Sequence, residues 1–170
     1  MEFPTIVFAT QIHASLPLQV DLAPPPGDIA SIVAGPSLDL AYASIQTATG
    51  GYALHCTNLL QEPEWIQLPV PLPGPADLLV APDRSVLALG SGQLVRIAVD
   101  TEDPDIGTSV AVPPNASMTI DPGMRRVVVL DPSARRLIFR SQDLEGPADF
   151  VSIPGSGPFA PNAPLAWDPT

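Results

Sequence analysis

Leu78-Leu79-Val80-Ala81-Pro82-Asp83-Arg84-Ser85-Val86-Leu87-Ala88-Leu89-Gly90-Ser91-Gly92-Gln93-Leu94-Val95-Arg96-Ile97-Ala98-Val99 decides the fold class. Three apolar runs of strand length are parted by Pro82-Asp83-Arg84 and Gly90-Ser91-Gly92, both triplets that favour chain reversal. The spacing predicts strands over 77–81, 85–89 and 93–99, with 109–112 as a fourth. The opening cadence, an apolar strand running into a Pro-centred turn, recurs at Ser31–Pro36, Met118–Gly123 and Leu165–Pro169, a period of about 40–47 residues. Each unit of that length is a small sheet that cannot bury its own faces and must stack on its neighbours.

Working outward, the unit before this one predicts strands over 29–34, 38–44, 52–56 and 65–70, and the unit after it over 117–120, 126–130, 136–140 and 149–153. Two further strands, over 5–9 and 16–22, lead the chain, and one over 164–167 trails it. The expected fold is all-β: a propeller-like domain of three full four-stranded blades (29–75, 76–115 and 116–155), with 1–22 and 163–170 supplying strands of a partial or composite fourth. The 23 Pro and 12 Gly, scattered along the 170 residues, leave no run long enough for a helix.

Hydrophobic residues make up 45% of the chain and its net charge is −11. That balance excludes a disordered chain, and it argues against nucleic acid or an anionic membrane surface as the main partner. No apolar run is long enough to span a bilayer, and the N-terminal segment lacks the basic start of a secretory signal. The expected location is therefore the cytoplasm or an exported assembly. There is no Lys, and five of the seven Arg (Arg125, Arg126, Arg135, Arg136 and Arg140) fall within sixteen residues. Guanidinium forks grip carboxylates and phosphates bidentately, so these five, with Trp65, are the candidate partner-binding residues; the plain alternative is surface charge and packing in one blade.

The stretches 76–89 and 117–131 resemble blades of the NHL and gluconolactonase-type propellers, in which a strand ends in an Asp-Pro or Pro-Asp turn and a Val-rich strand then runs to an Asp. The resemblance covers about residues 29–153. It implies the fold; the hydrolases among those propellers hold a divalent metal at the centre. Asp83, Asp121 and Asp168 follow the matching turns here but match no metal ligand of that family, and only Asn58, Asn115 and Asn162 carry carboxamides of the Asn type.

Other site signals are sparse. His13 and His55 have no ligand-type neighbour at metal spacing, and His55 and Cys56 are adjacent on a predicted strand, so their side chains point to opposite faces and make no nucleophile–base pair. Asp100, Glu102, Asp103 and Asp105 are weak calcium candidates, lacking the alternating pattern of a dedicated loop. Gly90-Ser91-Gly92 and Gly155-Ser156-Gly157 read as turns, and Asn115-Ala116-Ser117 matches a glycosylation acceptor by composition alone. The expectation is a non-enzymatic structural or protein-binding module, without catalytic residues or cofactor, that meets a protein partner or its own copy in a larger assembly. The alternatives are a metal-dependent lactonase-like hydrolase, and a small-ligand or glycan binder using Trp65, Tyr42 or Tyr52.

Overall fold

The computed structural model describes residues 5–8, 18–35, 39–60, 64–99, 103–121 and 123–166. Among them every regular element is a strand. A leading hairpin pairs β1 (Thr5–Phe8) with β2 (Leu18–Asp21). Three four-stranded antiparallel sheets follow in chain order. The first contains β3 (Ile29–Ala34), β4 (Leu40–Gln46), β5 (Tyr52–Asn58) and β6 (Ile66–Leu72). The second contains β7 (Asp77–Val80), β8 (Val86–Gly90), β9 (Gln93–Ala98) and β10 (Asp105–Ala111). The third contains β11 (Ser117–Asp121), β12 (Arg126–Asp131), β13 (Arg136–Ser141) and β14 (Asp149–Ser152). In each, sequential strands are neighbours, so every sheet is a simple meander.

Burial within each sheet follows composition. Strands covered on both faces read as continuous apolar runs, as in Val127-Val128-Val129-Leu130 of β12, which is buried throughout. The last strand of each meander is the exposed one: all four residues of β14 face solvent, and β6 carries Pro69 and Pro71, which an edge tolerates because not every N–H is needed.

The second sheet lies between the other two, and the period of two in its strands divides its side chains between them. Val86 and Ala88 of β8, with Val95 and Ile97 of β9, pack on Tyr42, Leu54, Val70 and Leu72 of the first sheet. The intervening Leu87 and Leu89, with Leu94, pack on Met118, Val127, Val129 and Ile138 of the third. Each Val, Leu, Ile or Met among them, fully buried, contributes about 1.5–3 kcal/mol. The two outer sheets are also buried on their far faces. Ala41, Ala43 and Ile45 on the first and Val128 and Leu130 on the third are at most 5% exposed, although they point away from the middle sheet. On the first sheet Ala41 packs with Leu59 and with Leu22, the residue after β2.

Short crossovers carry the chain from the exposed strand of one sheet to the first strand of the next. Ser44 Oγ accepts the Ala76 N–H at 3.3 Å and Ser31 Oγ accepts the Leu78 N–H at 3.2 Å, pinning β7 to the first sheet. Gly90 is required where the β8–β9 turn meets this crossover: a Cβ there would sit 2.7 Å from the Pro75 carbonyl oxygen. Pro161-Asn162-Ala163 repeats the sequence of the second crossover, Pro114-Asn115-Ala116, and both Asn adopt the left-handed conformation, with φ of 57° and 53°. The Asn162 N–H donates to the Asn115 carbonyl at 3.0 Å and Ser117 Oγ to that of Ala163. The segment after β14 thus returns to the start of β11.

Two strand expectations are corrected. The fourth strand of the middle sheet begins at Asp105 and not near 109; Ile106 pairs with Ile97, and a bulge between Ile106 and Ser109 hides the strand behind Gly107 and Thr108. Residues 164–166 are irregular and not a strand, while Trp167 and Asp168 lie outside the described residues.

Candidate functional site

Acidic residues in the turns are used as clips. Asp83 Oδ1 accepts the Ser85 N–H and hydroxyl at 3.1 and 2.7 Å, while Oδ2 takes the Arg96 guanidinium at 3.0 Å. At the end of β11, Asp121 accepts the Met124 N–H at 3.1 Å and Arg126 at 3.3 Å. At the end of β12, Asp131 accepts the Ala134 N–H and Arg136 Nε, both at 3.0 Å. In all three, one carboxylate oxygen closes a turn and the other receives an arginine, the division of labour that makes Asp a turn residue. Burial works to raise the Asp83 pKa, but the Ser85 and Arg96 donors outweigh it and hold the carboxyl below its usual value. Asp83 and Asp121 therefore serve the turns. Asp121, one residue beyond the strand expected over 117–120, is the last residue of β11.

The arginines predicted to bind a partner divide by environment. Arg126 pairs with Asp121 and stacks over Phe139 at 5.0 Å. Arg135 holds the returning segment, donating to the carbonyls of Ile153, Pro154 and Gly157 at 3.4, 2.7 and 2.9 Å and lying 4.2 Å over the Phe159 ring. Arg125 is exposed in the β11–β12 turn. Arg136 and Arg140 stand two apart from Ile138 on β13 and so share its face. Together the three line a cleft of about 240 Å³ between β10 and the third sheet. Its other walls are Val129, Phe150 and the Ala111–Pro113 segment that leaves β10. Arg136 stacks over Phe150 at 4.9 Å, whereas Arg140 makes one long contact, to the Gly146 carbonyl at 3.4 Å.

A second concavity, of about 760 Å³, opens at the crossover end of the strands, where Ala30, Asp77, Ser91, Asn115 and Asn162 meet. Its walls are turn and crossover backbone with small side chains, so it offers hydrogen-bonding groups without an aromatic platform. The three aromatic residues proposed for a ligand face lie elsewhere. Tyr42 is buried in the core and Tyr52 packs against the same cluster. Trp65 donates Nε1–H to the Ala23 carbonyl at 3.0 Å and packs beside Leu22 and Ala41.

His55 and Cys56 point to opposite faces of β5. Cys56, paired in register with Tyr42, packs against the core cluster; His55 is paired with Ala43 and buried. Burial lowers the His55 pKa against an opposing 3.2 Å contact with the Ala53 carbonyl, and burial raises that of Cys56. Of the calcium candidates, Asp103 and Asp105 are described and Asp105 is the first residue of β10, while Asp100 and Glu102 lie outside the described residues, as does His13. Among the described residues no group of three or more His, Cys, Asp or Glu side chains converges on a metal-sized space.

The arginine cleft and the Asp–Arg clips were each half-visible in the sequence. The cluster of arginines was, but which of them are consumed by turns depends on pairing register. No protein-family model matches the chain, and no curated protein is similar to it.

Proposed function

We propose that this chain is a non-enzymatic protein-binding module built as a propeller-like arc, with the leading hairpin and the segment after β14 contributing to a composite fourth blade. The blade reading is supported by the middle sheet's division of its side chains between two neighbours, by the buried outward faces of the first and third sheets, and by the repeated Pro-Asn-Ala crossover. A stack ending at those faces would leave Ile45 and Val128 in water. Kinship to NHL and gluconolactonase-type propellers extends, on this reading, to blade architecture only.

The observation that carries the binding function is where apolar surface is left exposed. Six large apolar side chains are exposed among the described residues; Leu60 and Met124 sit in turns, and the other four, Ile66 on β6, Ile106 on β10 and Phe150 with Val151 on β14, are 61%, 37%, 57% and 51% exposed. These four lie on the last strand of a sheet, which pairs on one side only among the described residues. Exposed apolar side chains on an unpaired edge are a liability in isolation and a recognition surface when a partner adds to the edge. No cofactor is needed for this function, and the partner is another protein or a second copy of the chain.

The test is capture of native partners with the wild-type chain and with a Phe150→Lys, Val151→Lys variant whose fold is checked by circular dichroism. Loss of the same bound protein from the edge variant is expected. Equal capture by both, or a wild-type chain that binds nothing from its native lysate, overturns the reading. Light scattering on the purified chain separates the two kinds of partner: a dimer identifies the second copy.

A further inference from the structure

Resting on the protein-binding reading, we infer that the cleft between β10 and β13 is a recognition pocket for a partner segment that carries an apolar side chain beside a carboxylate. The chain holds 18 acidic residues against seven basic ones, yet this cleft is lined by two arginines, Arg136 and Arg140, and by no carboxylate. Asp131 pairs with Arg136 beside the cleft, so the positive charge offered to a ligand comes mainly from Arg140. The floor between the two guanidiniums is apolar, formed by Ile138 and Val129, with Val112 and Pro113 opposite. An apolar stem therefore fits the floor and an anionic head meets the rim.

The two arginines are prepared for this differently. Arg136 is held by Asp131 through Nε and stacks over Phe150, so little side-chain freedom remains to be lost when its other nitrogens meet a ligand. Among the described residues Arg140 is in no ion pair, and its hydrogen bond is a long one to the Gly146 carbonyl. A carboxylate bridging them gains charge-assisted, fork-like hydrogen bonds over an apolar floor where water competes poorly.

The occupant is a peptide because the cleft adjoins an open edge. Among the described residues β14 pairs only with β13, with Phe150 opposite Ile138, so Phe150 and Ile138 share the cleft face. A strand added to the free side of β14 would place one of its side chains next to Phe150 and within the reach of Arg136, while its backbone pairs with Asp149–Ser152. Alternation along that strand limits the signature to one apolar and one acidic residue near each other.

A displayed library of random heptapeptides is selected on the full-length chain at physiological ionic strength, in parallel with an Arg140→Gln variant and the Phe150→Lys, Val151→Lys variant, each checked for wild-type unfolding behaviour. The expected pool pairs an acidic residue with an apolar one. Its commonest member is expected to lose about tenfold or more in affinity on Arg140→Gln, or on replacement of its own acid by the amide. A pool that enriches without an acid, or that binds the Arg140→Gln variant equally well, overturns the cleft while leaving the protein-binding reading intact. No enrichment on any form of the chain overturns both. Octanoate titrated into the chain is the small-molecule control: tight binding sensitive to Arg140→Gln, together with no peptide enrichment, assigns the cleft to a free carboxylate and overturns the peptide.

Discussion

Asp131 and Arg136 close the β12–β13 turn from opposite ends, the carboxylate capping the Ala134 N–H with one oxygen and receiving Arg136 Nε on the other, each at 3.0 Å. The Asp131 side chain is only 6% exposed and that of Arg136 40%, so the carboxylate is the buried member, and its loss strands a turn donor as well as a guanidinium. Asp131→Ala is expected to cost about 1–3 kcal/mol in urea unfolding. Asp131→Asn keeps an oxygen for the turn and is expected to cost less. Equal losses from the two substitutions would show that the charge, and not the turn cap, carries the stabilisation.

Leu87 is fully buried and Phe150 is 57% exposed. Leu87→Ala leaves a cavity between the second and third sheets and is expected to destabilise by about 2–5 kcal/mol. Phe150→Ala removes a half-exposed ring together with its stack under Arg136 and is expected to cost at most about 1 kcal/mol. Denaturant midpoints with unchanged slopes check both; a large loss from Phe150→Ala would mean that the edge is covered in the free chain.

Arg135 ties the segment after β14 to the third sheet through three carbonyls and the Phe159 ring. Arg135→Ala is expected to leave global unfolding almost unchanged while amides between Ile153 and Ala163 exchange at least about tenfold faster, the signature of local opening. Unchanged exchange would assign the anchoring to the backbone bonds of Ile153, Phe159 and Asn162 and to the Ser117 hydroxyl.

Two titrations give opposite ends of an acid-unfolding curve. Burial lowers the His55 pKa, so the folded state binds its proton less readily than the unfolded one. The corresponding stability is complete above about pH 6.5 and is lost as the pH falls below that value. The depressed Asp83 carboxyl contributes stability that is present above about pH 4 and disappears as the pH drops through its folded value. Melting temperatures between pH 8 and 2.5 are expected to fall in two steps. His55→Gln should flatten the upper step and Asp83→Asn the lower; a profile unchanged by either substitution would assign the steps to other groups.

The three meanders were legible in the sequence because strand and turn signals are local. The alternation of Leu87 with Ala88 and the reversal at Gly90-Ser91-Gly92 need only a few neighbouring residues to be read. The β10 start was not legible, because a bulge at Gly107 and Thr108 breaks the alternation and only pairing with Ile97 restores it. The same holds for the arginines: five in sixteen residues announce a basic patch, but whether a guanidinium closes a turn or faces a cleft is set by which residue lies across the strand.

Sequence alone determined that this chain is all-β, punctuated by proline and glycine, and repeats a four-strand unit, since those properties follow from backbone dihedral limits and the period of side-chain alternation. Tertiary structure decided which face of each strand meets which sheet, that Tyr42 and Trp65 are packing residues, and that Arg136 and Arg140 flank an apolar cleft. These depend on contacts between segments tens of residues apart, where the energy lies in packing and pair geometry that no local pattern encodes.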